Sequence, residues 1–174
     1  MRRAASILLG ALPAAVTFSD LIASVAVVNG DSMQPTLNPH GDGFRNRDVV
    51  LLDKTTKPDK GDIVVLRSPE SVRQLVVKRL IGKDGDWVKR RSGGLAHVPT
   101  GKIWVEGDNE DTSVDSDRFG PVPISLLQAR ASHIVWPPSR WCRLECRSAS
   151  KERLFIMSQN NGDFPRRQCD DNGW

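Results

Sequence analysis

Residues 73–81 read RQLVVKRLI. The stretch is rich in Val, Leu and Ile and has no Gly or Pro inside it, the signature of a β-type run. Period-2 alternation then puts Val76, Lys78 and Leu80 on one face and Val77, Arg79 and Ile81 on the other. A lysine flanked on its own face by Val and Leu sits where the uncharged amine is favoured, because burial lowers an ammonium pKa that is ordinarily about 10.4. The alternative is an edge strand whose lysine snorkels into solvent along its aliphatic stem. The pattern admits both.

On either side the chain keeps the same character. DVVLLD (48–53) and DIVVLR (62–67) are short, apolar and β-branched, and a Lys/Pro/Gly/Asp turn region ending in Gly61 separates them. GDWVKR (85–90), KIWVEGD (102–108) and ARASHIVW (129–136) follow, punctuated by RSGG at 91–94 and by Pro99-Thr100-Gly101. A helical turn is expected at PISLL (123–127). No helical period sustains itself through 45–138 and no internal repeat occurs, so the expected body is mainly β: a folded, barrel-like antiparallel domain over residues 30–138. Beyond Pro137-Pro138 the pattern is lost, and the polar, turn-rich residues 139–174 are expected to form a weakly ordered tail.

The N-terminal end differs. Met1-Arg2-Arg3 precedes AASILLGALPAAVTFSDLIASVAVV, residues 4–28, long enough to cross ~30 Å of hydrocarbon as a helix. Pro13 would kink that helix, and the charge of Asp20 costs ~3 kcal/mol at a membrane centre. A cleaved secretory signal and a buried core element are alternatives. The length and the Arg pair favour an uncleaved anchor over residues 1–29, with the body on the opposite side of the membrane. On that reading Ser32 lies four residues past Val28, at the lipid surface.

At 174 residues the chain can bury one sizeable core. A net charge of +4, no concentrated basic stripe and 6% aromatic residues argue against a nucleic-acid partner. The three cysteines, Cys142, Cys146 and Cys169, all fall in the tail, so the body depends on no disulfide and has no Cys metal site.

GDSMQPTL (30–37) places a serine in a loop with no evident structural task. A serine hydroxyl becomes a nucleophile only when a base takes its proton. His40, His97 and His133 are available, two in loops and one in a strand, but nothing in the spacing singles one out; Lys78 is the other candidate. GDNEDTSVDSDRFGPV (107–122) is a loop of side chains suited to hydrogen bonding. Its oxygens lack the twelve-residue calcium pattern with a central Gly and a closing Glu. The loop therefore reads either as a plain connector or as support for a neutral lysine, with Ser113 bonding the amine and Asp115 fixing the loop.

Taken in order, GDSMQPTL (30–37), GDIVVL (61–66), VKRLIGKDGD (77–86) and GDNEDTSVDS (107–116) resemble the successive sequence boxes of the type I signal peptidase family. SHIVWPPSRW and the small size are most similar to its mitochondrial inner membrane members. The resemblance implies a membrane-anchored Ser/Lys endopeptidase on a mostly β fold. Ser32 would be the nucleophile and Lys78 the general base, with Ser113 orienting the amine and Asp115 supporting the site; no metal or cofactor is implied. Met33 and Pro35 match the loop after the nucleophile, and Gly82, Gly85 and Asp86 the turn after the lysine strand. Also implied are precursor proteins with N-terminal targeting segments as substrates, a second peptidase subunit as partner, and a single-pass placement facing the intermembrane space. Two positions depart from the bacterial pattern: Gly30 replaces a hydroxyl that helps hold the oxyanion, and Asp117 stands where an Arg usually pairs with the acid. A bacterial-type signal peptidase, a self-cleaving Ser/Lys β domain and a non-catalytic anchored β module are the competing readings.

Overall fold

The computed structural model describes residues 21–146, except 42, 44–46 and 72, together with the backbone of 154–155. Its strands are β1 (Ala23–Val27), β2 (Val49–Asp53), β3 (Ile63–Arg67), β4 (Leu75–Gly82), β5 (Trp87–Lys89), β6 (Leu95–His97), β7 (Lys102–Glu106), β8 (Val122–Pro123), β9 (Leu127–Trp136), β10 (Cys142–Arg143) and β11 (Leu154–Phe155). One short helix, α1 (Ser116–Phe119), and two 3-10 turns, Ile124–Leu126 and Pro138–Arg140, complete the described elements. The main sheet runs β1-β2-β9-β3-β4-β7-β8, with β10 added to β9, and β11-β5-β6 form a separate ribbon. The strand pairs of the main sheet are antiparallel, so the mainly β, antiparallel expectation holds.

β3 is the keel. It pairs β4 on one side and β9 on the other, and Ile63, Val64, Val65 and Leu66 are all buried. Ile63 and Val65 join Met33, Leu37, Val50 and Ile134 in one core cluster, whereas Val64 and Leu66 join Leu80, Ile103, Val105 and Val122 in another. Each fully buried aliphatic side chain of this kind contributes roughly 1.5–3 kcal/mol, so the sheet is held by apolar packing on both faces. A third cluster, Ile81, Val88, Ala96, Val98 and Trp104, brings residues of β4, β7 and the β5–β6 ribbon together.

Two boundaries differ from expectation. The last residues of the apolar N-terminal run are not helical: Ala23–Val27 pair with β2 from Ala23↔Asp53 to Val27↔Val49, and Val28 is buried in the core. The β-branched SVAVV segment alternates along a strand edge. Residues 1–20 of the expected membrane helix lie outside the described residues, and among the described residues no helix is long and apolar enough to cross a membrane. At the other end the fold does not stop at Pro138. Arg140 pairs with the buried carboxylate of Asp48, β10 extends β9, and Leu144 is only 6% exposed in the first core cluster. The remaining tail lies outside the described residues, apart from the backbone of 154–155.

Candidate active site

The loop after β1 carries Ser32. Gly30 adopts a φ of 85°, in the left-handed region glycine tolerates, and turns the chain off the strand. Met33 and Leu37, each 1% exposed, plug the loop into the core, and Leu37 N–H donates to the Met33 carbonyl at 2.9 Å. The Gln34 amide donates to Asp31 Oδ1 and to the Asn38 carbonyl, each at 2.9 Å. With Met33 inward, Ser32 is left half-buried at the rim of a groove of about 570 Å³ that Lys78 also lines.

The base of the loop is braced from afar. Asn38 and Asp48, both fully buried, exchange two 2.8 Å bonds, Asn38 N–H to Asp48 Oδ2 and Asp48 N–H to Asn38 Oδ1. Arg140 pairs with Asp48 and donates to the Thr36 carbonyl at 3.0 Å. Residues expected to be tail thus pin the serine loop.

Lys78 sits on β4 opposite Val64, its 4% exposure the outcome of the alternation between Val76 and Leu80. Of the two sequence readings, the buried lysine is the one observed. Its Nζ donates to Ser113 Oγ at 2.8 Å, and Ser113 Oγ donates to Asp115 Oδ2 at 2.9 Å. A hydroxyl has one proton to give. Ser113 commits its proton to Asp115 and therefore receives from Lys78, which fixes the amine and leaves its remaining positions for the groove. Burial pulls the Lys78 ammonium below its ordinary pKa; the Asp115 carboxylate opposes that shift and the Arg91 cation reinforces it.

The β7–α1 loop holds these pieces together. Asp115 caps α1 by accepting from Asp117 N–H at 3.1 Å, and its Oδ2 also accepts from Gly107 N–H at 3.0 Å. Asn109 donates from its backbone to the Ser32 carbonyl and from its amide to the Asp31 carbonyl, each at 3.1 Å. Asp108 takes a two-pronged pair from Arg79, 2.7 and 2.5 Å, and a 2.5 Å bond from Thr36 Oγ1 of the serine loop. At Gly107 the loops touch: a Cβ there would lie 2.2 Å from Ser113 Oγ and 2.4 Å from the Ser32 carbonyl oxygen. Asp117, Asp108 and Asp115 are thus engaged with protein groups.

The four expected residues are brought together: Ser32 and Lys78 line one groove, and Ser113 and Asp115 continue from the lysine as a bonded chain. The histidines lie elsewhere. His40 is exposed, His97 packs its ring against Trp87 at 5.1 Å on β6, which the sequence suggested was loop, and His133 lies beside Ser132 on β9. Asp86, expected in the turn after the lysine strand, accepts from Lys83 N–H at 2.8 Å and pairs with Lys60. Sequence reasoning missed Arg79, Arg91, Asp108, Asn109 and Arg140. Asp108 and Asn109 stand inside the quoted GDNEDTSVDS box and Arg79 beside Lys78; Arg91 and Arg140 gave no signal.

The sequence pattern described as "Signal peptidase, peptidase S26" matches residues 1–97 and 89–136. The mitochondrial inner membrane protease subunit 2 of Mus musculus is 49% identical over 141 residues, covering 78% of this chain and 79% of that protein. The subunit 2 protein of Saccharomyces cerevisiae is 37% identical over 138 residues, covering 75% and 77%. The mitochondrial inner membrane protease subunit 1 of Xenopus tropicalis is 39% identical over 127 residues, covering 68% and 72%. With the family pattern running from the N-terminus through β9, and such identity spread over most of its length, this chain belongs to the signal peptidase family, peptidase S26.

Proposed function

We propose that the chain is a membrane-anchored serine endopeptidase that removes N-terminal sorting sequences from precursor proteins at the mitochondrial inner membrane, using Ser32 and Lys78. The carrying observation is a lysine buried among valines and leucines, bonded to a hydroxyl and sharing its groove with the loop serine. In this mechanism neutral Lys78 takes the proton of Ser32 Oγ as that oxygen attacks the scissile carbonyl. The Ser32 backbone N–H stabilises the oxyanion and an acyl-enzyme forms. Lys78 returns the proton to the leaving amine, then activates the water that releases the acyl group. No metal or cofactor enters a step.

The names of the relatives support a mitochondrial inner-membrane location and a partner subunit. Residues 4–22 serve as a single-pass anchor, with the β domain in the intermembrane space and Ser32 close to the lipid surface. Likeness to both a subunit 2 and a subunit 1 protein supports a pair of homologous subunits in one complex. A precursor peptide spanning a sorting-sequence junction, incubated with the full chain alone and with the second subunit, tests the reading. Wild-type cleavage is expected, with none from Ser32→Ala, Lys78→Ala or Lys78→Arg, because Arg cannot serve as a base near neutral pH. Cleavage surviving any of these three removes the dyad; no cleavage by wild type in either setting favours the non-catalytic module.

A further inference from the structure

Asp115 poses an electrostatic difficulty for a neutral lysine. Its carboxyl accepts from Ser113 Oγ, Gly107 N–H and Asp117 N–H, and its negative charge, buried one hydroxyl away from Lys78, favours the ammonium. The turn between β5 and β6 supplies a balancing charge. Arg91 places Nη1 3.2 Å from Asp115 Oδ2 and donates from Nη2 to the Gly107 carbonyl at 2.8 Å. The same guanidinium reaches Glu106 Oε2 at 3.3 Å and Glu110 Oε1 at 3.0 Å.

The turn is itself held in place. Ser92 N–H donates to Asp117 Oδ2 at 3.2 Å, and Asp117 follows Asp115 at the start of α1. Asp117 cannot neutralise Asp115, being an acid, but it fastens the neighbouring segment that delivers an arginine. Arg90, the other cation of the turn, lies over the Trp104 ring, its guanidinium carbon 6.0 Å from the centroid, and Trp104 Nε1 donates to buried Glu106.

We infer that Arg91 is a positioning residue of the active site: carried in by the β5–β6 turn and fastened through Ser92 to Asp117, it neutralises Asp115 so that this carboxylate can orient Ser113 without drawing a proton onto Lys78. The inference rests on Lys78 being the general base. The charged groups facing it are Asp115, Glu106 and Glu110 around the guanidinium, with Arg91 and Asp115 acting on the amine. Removing Arg91 leaves Asp115 unbalanced and raises the Lys78 pKa, so the acid limb of kcat/KM moves to higher pH. Arg91→Lys keeps the charge and leaves the limb near its wild-type position. Asp115→Asn added to Arg91→Ala removes the unbalanced carboxylate and brings the limb back.

The experiment is a pH profile of kcat/KM on a precursor peptide for wild type, Arg91→Ala, Arg91→Lys, Arg91→Ala/Asp115→Asn and Lys78→Arg, using the assembled complex. An upward displacement of about one unit in Arg91→Ala, equivalent to roughly tenfold lost activity below the limb and regained at high pH, supports the inference if Arg91→Lys and the double variant restore the limb. A uniform loss in Arg91→Ala with an unmoved limb, while Lys78→Arg is inactive, assigns Arg91 a purely structural role and overturns it. An active Lys78→Arg overturns the underlying base assignment instead.

Discussion

Lys78 and Arg79 are consecutive residues of β4, each 4% exposed, and they face opposite sides of one sheet. Arg79 meets a carboxylate in a fork, Nε to Asp108 Oδ1 and Nη2 to Asp108 Oδ2, and donates to the Gly61 carbonyl at 2.6 Å. Lys78 meets a hydroxyl, with the carboxylate one bond further on and shared with Arg91. Burial is equal; the partner differs. An arginine keeps its proton and a fork-on-fork pair holds position, so the Arg79 face acts as a strut between β4 and the loop below β7. A lysine given a hydroxyl instead of a direct counterion is the cation whose charge the fold disfavours, and that face opens onto the groove with Ser32.

Breaking the strut has the largest expected effect on stability. Arg79→Ala leaves Asp108 buried without its cation and costs about 3–5 kcal/mol, read as a fall in the urea midpoint. It also loosens Thr36, and with it the serine loop. Arg79→Lys recovers part of the loss, since it restores a charge but not the fork. An unchanged midpoint in Arg79→Ala would mean that the two cations are not used differently. Next comes the seam between the faces. Gly107→Ala drives a methyl against Ser113 Oγ and the Ser32 carbonyl, and displacing both by well over half an ångström should lower kcat/KM about 100-fold. Activity close to wild type would show that the two loops need not meet so tightly.

How far this arrangement could be read beforehand depended on range. Alternation within RQLVVKRLI placed Lys78 on the same face as Val76 and Leu80, because a strand's side-chain period is local. The longer β runs were visible for the same reason. Two-residue strands such as Val122–Pro123 and Cys142–Arg143 were not, since they exist only through their partners β7 and β9. The apolar run ending at Val28 fits a membrane helix by hydropathy, while its last residues take β2 as a neighbour, a choice made by pairing with residues 49–53. Arg140 lies 92 positions from Asp48 and 104 from Thr36, and no local pattern announces such a brace. Arg91 is hidden by a change of place: position 117, where the resemblance implies an Arg beside Asp115, holds an acid, and the guanidinium arrives from the β5–β6 turn.

On the lysine face the effects become smaller and more diagnostic. Ser113→Ala removes the acceptor that orients the amine but leaves the proposed nucleophile and base in place, so roughly tenfold lower kcat/KM is expected, about 1.4 kcal/mol, against complete loss in Lys78→Ala. Wild-type turnover in Ser113→Ala would remove that hydroxyl from the mechanism. The smallest expected effect is a gain in stability. Lys78→Met fills the same slot between Val76 and Leu80 with no charge to desolvate, and should stabilise the fold by roughly 1 kcal/mol at neutral pH. The sign of its pH dependence follows from linkage. Between the lowered folded pKa of Lys78 and the unfolded value of 10.5 the unfolded chain binds more protons, so wild-type stability rises with pH across that window. Lys78→Met has no such rise. Its advantage is therefore full below the folded pKa and shrinks as pH climbs toward 10.5, which paired urea melts across the window would resolve. If the two proteins keep a constant difference in midpoint, burial does not discharge the lysine, and the contrast between the two faces of β4 reduces to one of partners alone.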